Sequence, residues 1–475
     1  MFIGRNAELD FLNDRYNSDK AEFITVYGRR RVGKTELLTE FCKDKPNIFY
    51  ACNEYTDKKQ FEVFSEALLD YDYSLRKLIK RFTDWADAFS HLADIKSKRK
   101  LVVVVDEFPY MAKANKSIPS ILQNLWDHTL CKANIMFIIS GSSISFMEDE
   151  LLASKNPLYG RMTGIYKLEP LPFDDAVKFF PDYSNEDKLL AYSILGGIPH
   201  YLKQFDTALS LKENIKKNIL TKGTVLFGEV EYILHQELRE PAAYNTILEA
   251  VALGNCRFNE ICGKTHIESN NISVYLKSLL ELGLIMREFP VMTSSREVLK
   301  KNQGAYRIAD SFFKFWYAYA YQYMSELARG DIDGIWKNII ENDLHNFASK
   351  AFENVSIDYL RKLNSTDKLP FWFAHIGRWW GNVNHKDENN KPYSAPEEID
   401  ILAVDKGEKN YIVGECKFTN GPFDLSQLNA LKQKLKLNGA VYYYLFSLNG
   451  FTDAVKKETG ATLSLITLSD ILNKG

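Results

Sequence analysis

Over the first third of the chain, short unbroken apolar runs alternate with stretches in which apolar residues recur every three or four positions. Phe23 to Tyr27, Ile48 to Cys52, Lys100 to Phe108 and Asn134 to Ser140 read as strands. In KLVVVVDEF, four consecutive valines follow a leucine, which marks a strand buried on both faces. Asn6 to Tyr16 is amphipathic, and Gln60 to about Ala93 carries Phe61, Phe64, Leu68 and Leu69 at helical spacing. Strands alternating with helices predict a parallel α/β sheet covered on both faces over residues 1–170.

The pattern then turns helical. Residues 171–240 read as Phe173 to Phe180, Asn185 to Leu195, Pro199 to Ala208 and a run from Leu211, broken at Gly196-Gly197-Ile198-Pro199. A lid over a bound ligand and a plain connector would both read this way. Residues 241–310 predict a winged helix: Ile247 to Ala252, Phe258 to Cys262, and Ser269 to Leu282 with Ser269 as its cap. A hairpin then leaves Gly283-Leu284-Ile285 and returns at Ala305 to Ile308. The third helix offers Asn270, Asn271, Ser273 and Lys277, and the wing Arg296, Lys300 and Lys301. That is modestly basic and suits either DNA contact or protein docking. Residues 311–340 hold an aromatic helix (SFFKFWYAYAYQYM) and a connector; its rings lack an interleaved basic stripe, which favours core packing over base stacking. Residues 341–475 read as helix, strand, hairpin, helix, strand.

Length supports this modularity, since 475 residues at about 150 per domain make about three domains. A net charge of −2 provides no global attraction to nucleic acid, so any such contact must be local. Six cysteines with no C-x-x-C pair suggest neither a disulfide framework nor a zinc site, as expected for a reducing cytoplasm. The apolar run Phe315 to Met324 is much shorter than the roughly 20 residues of a membrane helix.

Chemistry enters at Gly28, Arg29, Arg30, Arg31, Val32, Gly33, Lys34 and Thr35, which join the first strand to a helix. A glycine-rich turn here presents backbone N–H groups to phosphate, Lys34 is spaced to reach the β and γ phosphates, and the Thr35 hydroxyl to join a magnesium shell. Asp106 and Glu107 end the valine strand in the crevice where such sheets bind ligands; Asp106 suits magnesium and Glu107 the activation of water. Ser140, or Ser142 beyond it, could sense the γ phosphate or simply form a turn. Arg161, on a loop placed next to this crevice, could steady transition-state charge in its own or a neighbouring subunit of a homo-oligomer, or form a surface salt bridge.

At the other end, EEIDILAVD and NYIVGECKF form a hairpin. A turn centred between Gly407 and Glu408 sets Asp400 opposite Glu415, with Lys417 on the same face and Cys416 pointing away. Two facing carboxylates and the Cys416 carbonyl suit magnesium, and a lysine beside them suits phosphodiester hydrolysis; a cross-strand ion pair on an ordinary hairpin is the other account. Glu353 could approach the same ion and Gln427 a substrate or water, while Arg378-Trp379-Trp380 suits packing better than a nucleic-acid backbone.

With FIGR near the start, GRRRVGKT, VVVVDEF, GGIP, FFKFW and D-x(14)-E-x-K, the chain resembles the archaeal-type ATPases of the P-loop superfamily, relatives of AAA+ proteins. Many of these carry a C-terminal domain similar to restriction-endonuclease-like nucleases. Ile399 stands where a proline often precedes the first nuclease aspartate. The resemblance implies ATP and Mg2+ at Lys34, Thr35, Asp106 and Glu107, a nuclease motif at Asp400, Glu415 and Lys417, and DNA as partner. An ATP-switched regulator with a non-cutting C-terminal domain is the competing expectation.

Overall fold

Glu22–Tyr27 (β1) is buried at every position, as are Leu101–Asp106 (β3) and Ile135–Gly141 (β4). Their β-branched and aromatic side chains fill both faces of one sheet. With Asn47–Ala51 (β2) and Gly164–Lys167 (β5) they form a five-stranded sheet in the order β2-β3-β4-β1-β5, every neighbouring pair parallel. The short edge strand β5 has only one buried residue, Gly164, and carries no apolar run to announce it. The computed structural model describes residues 2–293, 304–386, 391–458 and 460–473. They divide into two units, Met1–Leu171 with Ile198–His200, and Pro172–Gly197 with Tyr201–Gly475.

In the first unit, helices Asp57–Tyr71 and Trp85–His91 cover one face through Phe64, Trp85 and Phe89, and Phe89 meets Phe137 of β4 edge to face. Burying each such ring contributes about 1.5–3 kcal/mol. Lys100, just before β3, is buried, and its ammonium donates to the carbonyls of Arg15 (3.2 Å), Ser18 (2.6 Å) and Lys20 (2.7 Å). It thus gathers the end of the first helix onto the foot of the sheet.

The second unit begins with helices that include Asn185–Leu195 and Val225–Glu237, followed by Pro241–Ala252, Phe258–Thr265 and Ser269–Glu281. Ser269 is the first helical residue rather than the cap: Glu268 takes the extended cap conformation, without a side-chain bond. Ile285–Glu288 (β6) and Ala305–Ile308 (β7) pair antiparallel. Arg296, Lys300 and Lys301 lie outside the described residues. Helix Ser311–Tyr319, capped by the Asp310 carboxylate on the Phe313 amide (3.0 Å), buries Phe312, Phe313, Phe315, Trp316 and Tyr317 against helices Asn185–Leu195 and Pro241–Ala252.

Helix Leu344–Ser365 leads into His375–Lys386 (β8), Pro392–Val404 (β9), Asn410–Lys417 (β10), Ala440–Ser447 (β11) and Leu463–Thr467 (β12). The sheet order is β12-β11-β10-β9-β8: antiparallel from β8 to β10 and parallel from β10 to β12. Helix Leu425–Lys434 lies between β10 and β11, the crossover that parallel pairing requires. Among the described residues no helix is long and apolar enough to cross a membrane.

Replacing Lys100 by Met leaves a buried side chain that can no longer donate to its three carbonyl partners. The expected cost is about 2 kcal/mol, read as a lower urea midpoint of the transition that reports the first unit.

Candidate functional site

The phosphate-loop segment leaves the carboxyl end of β1 and enters helix Lys34–Cys42. Arg31 (φ 70) and Gly33 (φ 94) are left-handed, which bends the loop as an anion-binding nest requires. A Cβ on Gly28 would lie 2.4 Å from the Leu168 carbonyl oxygen, so only glycine lets the two backbones approach. Lys34 is buried, and its ammonium donates across the loop to the carbonyls of Gly28 (2.9 Å) and Arg29 (3.0 Å). Arg30 reaches the Tyr110 hydroxyl at 3.3 Å.

Three elements meet at Asp106, which is 3% exposed. Its Oδ2 accepts the Thr35 hydroxyl at 2.6 Å, and its Oδ1 accepts the Glu107 amide at 3.1 Å and the Ser140 hydroxyl. Ser140 is therefore bound to the acid rather than turned toward a ligand. Glu107 is left-handed (φ 52), and its Oε2 accepts the Ser142 amide (3.1 Å) and hydroxyl (2.8 Å). The arrangement joins a loop lysine, a hydroxyl–carboxylate pair and a second carboxylate held by a serine. Thr35 and Asp106 are hard oxygen donors, the chemistry that suits magnesium completed by phosphate and water oxygens.

Arg161 corrects the expectation that it lies next to this crevice. Its guanidinium makes a two-pronged pair with Asp127 (2.8 Å from Nε and from Nη2). Thr163, two residues on, donates its amide to the Phe23 carbonyl near the start of β1, whereas the loop leaves the other end of that strand. Parallel pairing of β5 with β1 carries Arg161 to the wrong end of the sheet for this chain's own phosphate loop.

Two residues of the FIGR and GGIP motifs, given no site role by the sequence, lie against the loop. Arg5, buried and left-handed (φ 68), donates to the Val32 carbonyl inside the loop (2.9 Å), the Glu169 carbonyl (2.7 Å) and Glu8 (2.8 Å). It clamps the loop from 27 residues away in sequence. Pro199, in the segment that groups with this unit, is the nearest neighbour of a Cβ built on Gly33, at 3.7 Å.

In the second unit, β9 and β10 pair from Val404 with Tyr411 to Ile401 with Gly414, and continuing this register by one residue sets Asp400 opposite Glu415. Asp400 accepts the Cys416 amide at 2.9 Å, and among the described residues it pairs with no lysine or arginine. Burial first, then the charges of Glu353 and Glu415, push its carboxyl up to about 7. Glu415 is held by Lys417 at Oε1 and Lys434 at Oε2, both 2.9 Å. Burial works against the charge on Lys417, but Glu415 outweighs it and leaves the ammonium firmly protonated. Lys434, on the helix after the motif, has no signal in sequence.

Among the described residues no three His, Cys, Asp or Glu side chains are grouped as a metal cage. Glu353, expected to approach the same ion, accepts Arg378 Nε and Lys350 Nζ (2.9 Å) at one oxygen, Oε2, and its charge bears on Asp400. Gln427 does not face a ligand, since it closes a capping box with Asp424. Arg378 is buried in ion pairs, and Trp379 packs against the core around Ile399 and Leu445.

A parallel sheet with a glycine-rich loop, lysine and threonine at the end of β1 and an acidic β3 end defines a P-loop ATPase. Residues 2–205 match the model of an ATPase domain found predominantly in archaea, and residues 316–433 match one of archaeal and bacterial proteins of unknown function. The uncharacterized protein MJECL04 of Methanocaldococcus jannaschii is 33% identical over 421 residues, covering 88% of each chain. The chain belongs to this archaeal-type P-loop ATPase family. An uncharacterized ATP-binding protein of Pyrococcus horikoshii, PH0541, is 25% identical over 237 residues, 42% of this chain and 73% of that one. The structure of the Walker-type ATPase PABY2304 of Pyrococcus abyssi shares the fold, with a TM-score of 0.51, 21% identity, and coverage of 66% of this chain and 96% of that one.

Replacing Arg5 by Met removes the clamp on Val32. A charge-assisted hydrogen bond of about 1.5 kcal/mol makes ATP binding about tenfold weaker, measured with a fluorescent ATP analogue.

Proposed function

We propose that ATP binding and hydrolysis in the first unit control a magnesium-dependent phosphodiesterase in the second, with DNA as substrate. The observation that carries this reading is the convergence of Asp400, Glu415 and Lys417 where the β9–β10 pairing ends, with one carboxyl left without a cation partner among the described residues. A carboxyl whose ionisation is opposed by burial and by two neighbouring acids is one that a bound cation would stabilise in its charged form. Asp400, Glu415 and the Cys416 carbonyl would hold magnesium, which when bound supplies Lewis-acid polarisation of the phosphate. Lys417, kept protonated, steadies the added charge on the phosphodiester as water attacks.

In the ATPase unit, Thr35 and Asp106 would hold magnesium on the nucleotide. Lys34 exchanges its loop carbonyls for phosphate oxygens, and Glu107, released from Ser142, takes the proton of the attacking water. Ser140 keeps Asp106 oriented. Arg161 serves only a neighbouring subunit in this reading, its own loop lying at the opposite end of β1. The hairpin module of residues 241–310, read as a winged helix, is the candidate for DNA docking.

One observation favours a second reading, an ATP-switched regulator whose C-terminal domain does not cut. Both Glu415 oxygens are already held by lysines, and no three-ligand cage is present among the described residues.

The two readings separate in an assay of plasmid and linear DNA with magnesium, with and without ATP. Lys417→Ala is expected to lose cutting by about 100-fold with ATP hydrolysis intact. Lys34→Ala is expected to lose hydrolysis and any response of cutting to ATP. If the parent protein hydrolyses ATP but cuts neither DNA nor RNA, the regulator stands instead.

A further inference from the structure

Outside the acid pair, the second unit gathers charged groups into one connected array. Arg378 of β8 is 6% exposed and uses its whole guanidinium. Nη1 donates to Glu288 of β6 at 2.6 Å, Nε to Glu353, and Nη2 to Asn354 (2.8 Å) and the Lys350 carbonyl (3.2 Å). Glu288 also accepts from Arg307 of β7. The backbone follows the same route, since the Val291 amide donates to the Arg378 carbonyl at 2.8 Å. The chain of charges therefore runs from the β6–β7 hairpin to Glu353 on helix Leu344–Ser365 through Arg378, which the β8–β9 register, pairing Gly377 with Leu402 and Trp379 with Ile399, sets level with the Ile401–Asp400 step of the next strand; the charge of Glu353 bears on Asp400.

Holding two elements together does not require such an array. Buried ion pairs are a poor source of stability compared with apolar packing of the same volume, and breaking one partner is costly. What an array of shared charges does supply is a field at its ends. Arg378 divides its charge between Glu288 and Glu353, so the charge state of the hairpin sets how fully Glu353 is neutralised. Lys350, paired with Glu353 and Glu398, and Lys314, whose ammonium lies 4.5 Å from the Phe347 ring centre, face the same cluster.

We propose that Glu288, Arg378 and Glu353 form a positioning and charge-tuning layer behind Asp400 and Glu415, through which the β6–β7 hairpin adjusts how tightly that acid pair holds a divalent cation. The inference rests on the metal reading of the acid pair given above. Its sign follows from electrostatics. Neutralising Glu288 leaves Arg378 less compensated, makes the field at Asp400 more positive and weakens the hold on a cation. Neutralising Arg307 has the opposite effect.

The test is a Mn2+ titration of the full chain by calorimetry, without nucleotide, with Asp400→Asn as the baseline. Glu288→Gln, which keeps an oxygen to accept from Arg378, is expected to weaken Asp400-dependent binding about threefold or more, and Arg307→Gln to tighten it about twofold or more. ATP hydrolysis is expected to be unchanged in both, and thermal unfolding reports that both are folded. Opposite signs are what damage to folding does not produce. If both variants weaken binding alike, or neither changes it while Asp400-dependent binding persists, the array is structural and the metal reading survives. If the parent binds no more Mn2+ than Asp400→Asn, both fail.

Discussion

A carboxylate in an apolar interior must be matched by donors, and the first unit is arranged around meeting that demand at Asp106. Asp106 closes a strand of valines that is buried along its length, so it has little water to draw on. Its donors come from the loop helix, from its own next residue and from β4. Strand order makes this possible, because β4 lies between β3 and β1 and brings Ser140 alongside. Shared donors also tie the loop, the acid and the strand between them into one hydrogen-bonded set. Moving Thr35 onto a magnesium ion would disturb Ser140, and through the next two residues the Ser142 that holds Glu107. Asp106 and Glu107 are thereby connected through Ser140 and Ser142, two residues apart at the end of β4.

The second unit meets the same constraint differently. Glu415 is compensated by two lysines and Glu353 by an arginine and a lysine, whereas Asp400 has a backbone amide and two neighbouring acids. The uneven sharing is informative, since cations could have been distributed to neutralise all three. It concentrates the unmet charge on one carboxyl, and Lys417 stays beside the site as a donor rather than a base. Parallel pairing of β10 with β11 brings Lys417 level with Ser447, so two strands end together at the candidate site. Burial also explains the inertness of Cys416, whose thiol is pushed well above its ordinary range among the same acids.

What could be read from sequence divides by the distance over which each feature is determined. The phosphate loop, the valine strand and the β9–β10 register were legible because each rests on residues a few positions apart: glycine spacing, an unbroken apolar run, a tight turn that fixes pairing. The aromatic helix was legible for the same reason, with rings on nearly every side, although it ends at Tyr319 rather than running on to Met324. The edge strand β5 was not, because four residues of which only Gly164 is buried form a strand only when β1 offers an open edge.

The misreadings share one cause. Arg161 was associated with the crevice by its position after β4, but a parallel strand must start from the opposite end of the sheet, and the arginine precedes β5. The ion pairs of Glu353 were out of reach for a related reason: Arg378 stands 25 residues away and Glu288 another 65 before it, and no local pattern reveals that a guanidinium will share the carboxylate. Arg5, noted only as part of FIGR, was given no role for the reverse reason, its contact being set by a carbonyl 27 residues downstream. Motifs report which chemistry a residue can perform. Which partner occupies it is decided by topology, and for buried charges the partner determines the role, since an arginine-paired glutamate and a cation-seeking one are the same residue in different company.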